Sequence, residues 1–267
     1  MQNTEPLSGV LLKSEMVIRD LRKAIKSRDQ FLSIASHELR TPLTSLTLQL
    51  QLIQRSLASE LGSLTSPQKL KQGIDICFKQ TQRITRLVND LLDISRIQAG
   101  VLNFTFEEVD LAELLRQCLE KNREQAKLSR CELKLNAPKS LWATCDRIRI
   151  EQVIDNLLSN ALKYGAGRAI EVSLLADGDM AKMIFRDYGI GIDKNNHEII
   201  FERFERAVDP KSVSGLGLGL FIVRQILNAH KGKIFVDSEL DRGATFMVSL
   251  PLHSGLKTFD RSEKELS

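Results

Sequence analysis

Ser214-Gly215-Leu216-Gly217-Leu218-Gly219-Leu220 alternates glycine with larger residues directly before an apolar helical pattern, Leu218 to Ala229. Backbone without side chains can approach a polyphosphate closely, and the helix that follows offers unpaired N–H groups and a positive dipole end. A flexible loop would carry the same glycines, so the segment gains meaning from its neighbours. Asp187-Tyr188-Gly189-Ile190-Gly191-Ile192 ends a predicted strand and enters a turn-rich stretch. The pair is neither a Walker loop, GxxxxGK followed by Ser or Thr, nor a dinucleotide fingerprint with GxGxxG after the first strand.

A third element lies in a predicted helix, Asn156-Leu157-Leu158-Ser159-Asn160-Ala161-Leu162-Lys163-Tyr164. Asn156, Asn160, Lys163 and Tyr164 fall on one helical face, and Leu157, Leu158, Ala161 and Leu162 on the other. Asparagine is a poor helix former, so two of them one turn apart need a reason. Oxygen ligation of Mg²⁺ bound to a nucleotide, with Lys163 opposite the phosphates, is one; two solvated amides is the other.

Around these motifs, short strands and helices alternate from Val101 onward. Asp110 with Glu113 resembles a capping pair opening a helix through about Ala126. Cys131 to Leu135 and Leu141 to Thr144 read as strands, and Asp146 caps a helix through Tyr164. Ile170 to Leu175 and Lys182 to Asp187 flank an Asp177-Gly178 hairpin turn. Lys233 to Asp237 and Ala244 to Leu250 make a last pair of strands. The expected fold here is an α+β sandwich, with helices over one face of a mixed sheet.

The N-terminal third reads as helix. Leu11, Ile18, Ile25, Leu32 and Leu39 recur every seven residues, beside a patchier seam of Ser14, Leu21, Arg28, Ala35 and Pro42, the signature of supercoiled pairing. On that register His37 points away from the seam. Within Ser36-His37-Glu38-Leu39-Arg40-Thr41-Pro42-Leu43, Thr41 shares surface with His37 and Glu38. Pro42 lacks an N–H and crowds the Glu38 carbonyl, so a kink is expected beside the histidine. A turn at Gly62 to Pro67 leads to a second helix carrying Leu70, Ile74, Cys77, Ile84, Leu87, Leu91 and Ile94, ending near Gly100. The all-α antiparallel hairpin suits a dimeric four-helix bundle; an inert dimerisation stalk would have the same pattern.

Composition sets broad bounds. Of 267 residues, 42% are hydrophobic and 27% charged, and the net charge of +4 gives no argument for nucleic acid. The four cysteines form no CxxC pair and have no histidine at metal-ligand spacing, so they read as reduced thiols. No apolar run reaches the length of a membrane span.

In order along the chain, these motifs resemble the sensor histidine kinases of bacterial two-component systems. Residues 31–100 resemble their HisKA dimerisation and phosphotransfer domain, and residues 101–252 their Bergerat-fold ATP-binding domain. Residues 1–30 would be a signalling coiled-coil linker and 253–267 a polar tail. The resemblance implies a multidomain protein that autophosphorylates on His37 from ATP with Mg²⁺, then passes the phosphoryl group to an aspartate of a response regulator. It assigns Glu38 as general base and Thr41 as the residue positioning water for phosphatase activity on that regulator. It also matches Asn156 and Asn160 to the N box, with Asn160 on Mg²⁺, and Lys163 and Tyr164 to the borders of phosphates and base. Asp187 would accept from the adenine amino group, with Gly189 and Gly191 shaping its turn. Phe204 closes the F box that anchors the lid, and Gly215, Leu216, Gly217, Leu218 and Gly219 form the phosphate loop. Gly165 and Asp193 depart from the family's usual residues without removing a group of assigned role.

The resemblance further implies a homodimer and a cytoplasmic kinase core, whose longer parent can be membrane-anchored. A junction at Gln98-Ala99-Gly100 is the expected hinge. Two rivals share parts of the pattern: a gyrase-like or chaperone-like ATP clamp, and a non-catalytic dimeric scaffold. His197, His230 and His253 carry no companion ligands; His230 is expected at a helix end, where the dipole favours a charge.

Overall fold

The computed structural model describes residues 7–58, 67–101, 103–205, 207 and 216–252, without the side chains of 7–17, 20–32, 58, 67 and 98. The chain divides into two compact units, Met1–Leu91 and Leu92–Ser267.

The first unit consists of α1 (Leu7–Ala58) and most of α2 (Pro67–Gln98). Pro42 lies inside α1, which continues through it. Most of the heptad residues N-terminal to Leu39 lie outside the described side chains; Ile18 is exposed, and Ala35 and Pro42 are buried. Gly73 brings α2 close to α1, since a Cβ there would meet the Ile53 side chain at 3.1 Å. Among the described side chains of this unit Ala35, Pro42 and Leu87 are buried, whereas Leu43, Leu48, Leu50, Leu52, Ile74 and Phe78 are exposed. Two helices alone cannot cover that much apolar surface.

The second unit holds a five-stranded sheet in the order β2-β4-β5-β7-β6, with β2 parallel to β4 and the other pairs antiparallel. Its strands are β2 (Leu133–Asn136), β4 (Ile170–Asp177), β5 (Met180–Asp187), β6 (Lys233–Glu239) and β7 (Gly243–Pro251). A separate pair joins β1 (Glu107–Asp110) to β3 (Trp142–Cys145). Three helices pack the core: α3 (Leu111–Lys121), α5 (Arg147–Tyr164) and α6 (Gly219–Ala229), with a short α4 (Arg123–Leu128) after the first. Ile150, Ile154, Leu157 and Leu158 of α5 are buried, as are Ile222, Val223 and Ile226 of α6 and Met183 and Phe185 of β5. Mixed sheet and helices match the expected sandwich.

Strand β1 was not read from the sequence, and three further details differ from that reading. The helix opened by Asp110 stops at Lys121, because Asn122 turns its side chain onto the Cys118 carbonyl at 2.8 Å and Asp155 at 3.2 Å. Asp110 does cap it, accepting from the Ala112 N–H at 3.0 Å, but Glu113 engages Arg116 and Gln117 instead of completing a capping box. His230 is not a charged helix end. It is buried, its Nδ1 donates to the Ile226 carbonyl at 2.7 Å, and its Nε2 accepts the Asp146 N–H at 3.0 Å. Both nitrogens are satisfied only by the neutral ring, and burial lowers its pKa despite the opposing pull of Ile226 and Asp146.

A depressed histidine pKa makes folding pH-dependent. The unfolded chain takes up a proton near pH 6.5 and the folded one resists it, so stability is full above that pH and falls as pH drops below it. Thermal unfolding should therefore be flat from pH 8 to about 7 and decline below about 6.5. His230→Gln should flatten that decline; equal slopes in the two proteins would contradict a neutral buried His230.

Candidate active site

Strand parity places Asp187. Along β5, Ala181, Met183, Phe185 and Asp187 are buried while Lys182 and Arg186 are exposed, so the carboxylate ends the helix-facing row. Its Oδ1 accepts the Gly189 N–H at 2.9 Å and the Ala244 N–H at 3.3 Å. Among the described residues nothing donates to Oδ2. Burial raises the Asp187 pKa, and the two backbone donors partly offset it. The site thus sets a carboxylate where desolvation disfavours its ionised form.

Glycines make this pocket by letting backbone meet backbone. A Cβ on Gly189 would lie 1.8 Å from the Tyr164 carbonyl oxygen, and one on Gly191 would lie 2.0 Å from that of Glu239. Gly243, which sequence reasoning passed over, presses on the Asp187 carbonyl, where a Cβ would come within 2.1 Å. Its only local signal was the turn Asp241-Arg242-Gly243.

On α5, Asn156 and Asn160 are half-buried on the predicted face, and Leu157, Leu158, Ala161 and Leu162 are buried on the other. A Cβ on Gly219 would stand 2.8 Å from Asn156 Oδ1, so this glycine lets the first turn of α6 reach the Asn face. Leu218 at the head of α6 supplies no side-chain cap, and a helix terminus of that kind can turn its first N–H groups to a ligand. Lys163 holds its ammonium 5.1 Å from the Tyr164 ring centroid.

The F-box segment is pinned to α6. Arg224 pairs with Glu202 at 2.9 Å, and the Arg203 guanidinium lies 4.7 Å from the Phe221 ring centroid. Phe204, at φ +66°, donates its N–H to the Gly217 carbonyl at 3.1 Å. Leu216 and Leu218 are buried, so only their backbone can face a phosphate. Gly215 and the lid proper lie outside the described residues. The acceptor set, paired amides and open helix terminus fit ATP with Mg²⁺.

The histidine centre lies in the first unit. His37 is 76% exposed, and its Nδ1 is 3.8 Å from Glu38 Oε1. Glu38 is only 14% exposed because Arg83 of α2 holds its Oε2 at 3.3 Å. Thr41 Oγ1 donates to the His37 carbonyl at 3.3 Å. Arg83 was not legible in the sequence, being 45 residues from its partner on another helix. Two of the thiols are poor nucleophiles: burial pushes Cys118 and Cys145 up to about 12.

Residues 27–100 match the His Kinase A (phospho-acceptor) domain, and residues 145–254 match the family described as Histidine kinase-, DNA gyrase B-, and HSP90-like ATPase. The chain belongs to the two-component sensor histidine kinases. The Sensor histidine kinase MtrB of Mycobacterium leprae is 34% identical over 232 residues, covering 85% of this chain and 40% of that protein. The Autoinducer 2 sensor kinase/phosphatase LuxQ of Vibrio vulnificus is 31% identical over 259 residues, covering 91% of this chain and 29% of that one. Among solved structures, the Acinetobacter baumannii histidine kinase AdeS superposes with a TM-score of 0.60 at 25% identity, covering 81% of this chain and 98% of that one. The chain thus spans less than half the length of these curated relatives. Among the described residues no helix is long and apolar enough to cross a membrane.

Proposed function

We propose that the protein is an ATP-dependent histidine kinase that phosphorylates itself on His37 and hands the phosphoryl group to an aspartate of a response regulator receiver domain. The observation that carries this reading is an exposed imidazole whose Nδ1 faces a carboxylate held by Arg83. Neutral His37 attacks the γ-phosphorus through Nε2, the N–P bond forms, and ADP leaves with the bridging oxygen. Glu38 takes up the Nδ1 proton as general base, with Arg83 keeping Oε1 turned toward the ring. The 3.8 Å separation must tighten in the reactive complex. The stage is positional, as phosphoryl transfer requires.

In the nucleotide unit Asp187 accepts from the adenine amino group through Oδ2, with Gly189 and Gly191 holding its turn, and Tyr164 borders the base. Asn160, beside Asn156, gives an amide oxygen to Mg²⁺, which neutralises phosphate charge when bound. Lys163 and the backbone from Gly215 to Gly219 face the phosphates, and Phe204 anchors the lid. The exposed apolar residues of the hairpin fit a homodimeric four-helix bundle, in a kinase core working in the cytoplasm. As sequence domains we retain a linker over 1–30, the phosphotransfer hairpin over 31–100, the ATP-binding domain over 101–252 and a tail over 253–267, although the compact units divide between Leu91 and Leu92. Thr41 positions water for regulator dephosphorylation, a pairing of activities that the name of LuxQ carries.

One labelling experiment tests both halves. Incubation with γ-labelled ATP and Mg²⁺ should give an acid-labile, alkali-stable label, and an acid-stable label would move the phosphate to a hydroxyl. Thr41→Ala should label at the wild-type rate yet dephosphorylate the phosphorylated regulator about tenfold more slowly. Unchanged dephosphorylation would remove Thr41 from that role.

A further inference from the structure

The last two turns of α2, Leu92–Gln98, belong to the second compact unit. Asp93 and Ile94 there are 5% and 2% exposed. Both Asp93 oxygens accept from Arg149 Nη1 at 2.9 Å, and Oδ2 also accepts from Gln152 Nε2 at 2.8 Å. Arg149 is fixed in turn: its Nη1 reaches Gln152 Oε1 at 2.9 Å, and its backbone N–H donates at 3.0 Å to Asp146, the N-cap of α5. Opening such a pair would leave a charge buried without its partner, which is costly.

The segment after it is equally tied. Gly100, at φ +66°, closes α2: its N–H reaches the Ile97 carbonyl at 3.1 Å, and the Val101 N–H reaches that of Arg96 at 3.0 Å. These two bonds are a Schellman cap rather than a slack turn. Thr105 then donates its N–H to Asp146 Oδ2 at 2.8 Å. On α5, Arg149 and Asn156 share a face two turns apart, roughly 10 Å along the axis. The chain entering the nucleotide unit is therefore fastened to the helix that carries the nucleotide-facing amides.

We propose that Asp93 and Arg149 form a latch that makes Leu92–Gln98 a rigid extension of the nucleotide-binding unit, placing the joint that moves during histidine phosphorylation within α2 before Leu92. Gln98-Ala99-Gly100, the hinge expected from sequence, is then a cap. Asp93 is a positioning residue. The kinetic part of this proposal rests on His37 being the phosphoacceptor; the structural part does not.

Hydrogen exchange on the whole chain decides the structural part. In Asp93→Asn the amides of residues 94–97 should exchange about tenfold faster or more, with those of Leu157–Leu162 unchanged. Unaltered exchange at 94–97 overturns the latch. The kinetic part is read in the same variant: affinity for a non-hydrolysable ATP analogue should stay within about twofold, while the maximal rate of His37 labelling falls about tenfold. Combining it with Arg149→Gln should cost no more than the worse single change. A wild-type labelling rate, lost analogue binding, or additive losses overturn the positioning role. Absence of labelling in the wild type would instead sink the kinase reading, and the exchange result would still decide the latch.

Discussion

Asp187→Asn is expected to weaken ATP binding by about 100-fold or more while leaving the protein at least as stable as the wild type. The two effects have one cause. Asparagine can still accept the Gly189 and Ala244 N–H groups through Oδ1. Its nitrogen then stands where Oδ2 was, and presents a donor to the adenine amino group, which is also a donor. The raised pKa of Asp187 means that the folded protein holds its proton more tightly than the unfolded chain does. Its contribution to stability is therefore greatest below the unfolded pKa, near 3.9, and is lost as pH rises through the folded value. At neutral pH the carboxylate costs stability, and a neutral amide removes that cost. Calorimetric titration with an ATP analogue beside thermal unfolding at pH 7 checks both. Retained affinity, or a marked drop in unfolding temperature, would contradict the role given to this residue.

Gly189→Ala should destabilise the nucleotide unit by about 3 kcal/mol or more, among the largest effects of any single methyl here. The new carbon would sit 1.8 Å from the Tyr164 carbonyl oxygen, 2.6 Å from its carbon and 2.7 Å from Gly165 Cα. All three are backbone, so no side chain can swing aside; the turn or the end of α5 must move. Since that turn carries Asp187 and that helix carries Asn160, nucleotide binding should fall with stability. Gly178→Ala is the control. Its φ of +57° costs about 1 kcal/mol for a residue with a Cβ, but no atom lies within 4 Å of the new carbon. Urea unfolding should rank the two in that order, and near-equal losses would show that the close approach at Tyr164 has slack.

What was legible in the sequence was whatever depends on near neighbours. Asp187 was read as ending a strand, and the spacing of Asn156 and Asn160 set them on one face of α5; β5 does end at Asp187, and the leucine face opposite the two amides is buried. Strand β1 was missed because Glu107-Glu108-Val109-Asp110 has no apolar alternation and exists by pairing with β3, far along the chain. The early end of α3 depends on Asp155, 33 residues away from Asn122. Arg83 could become a partner of Glu38 only through the register of two antiparallel helices, and no local pattern encodes that register. His230 was misread for the same reason: Phe104 and Phe106, ring centroids 5.4 and 4.9 Å from it, shield it from solvent. Chemistry that sits on one element was visible; chemistry completed by a distant partner was not.

The proposed phosphoryl transfer turns on one imidazole, that of His37. The most direct measurement is incorporation of acid-labile phosphate from γ-labelled ATP with Mg²⁺ into the wild type and His37→Ala, with analogue binding recorded for both. The expected result is labelled wild type, no acid-labile label above background in His37→Ala, and equal nucleotide affinity in the two. Equal incorporation in both would contradict His37 as the phosphoacceptor.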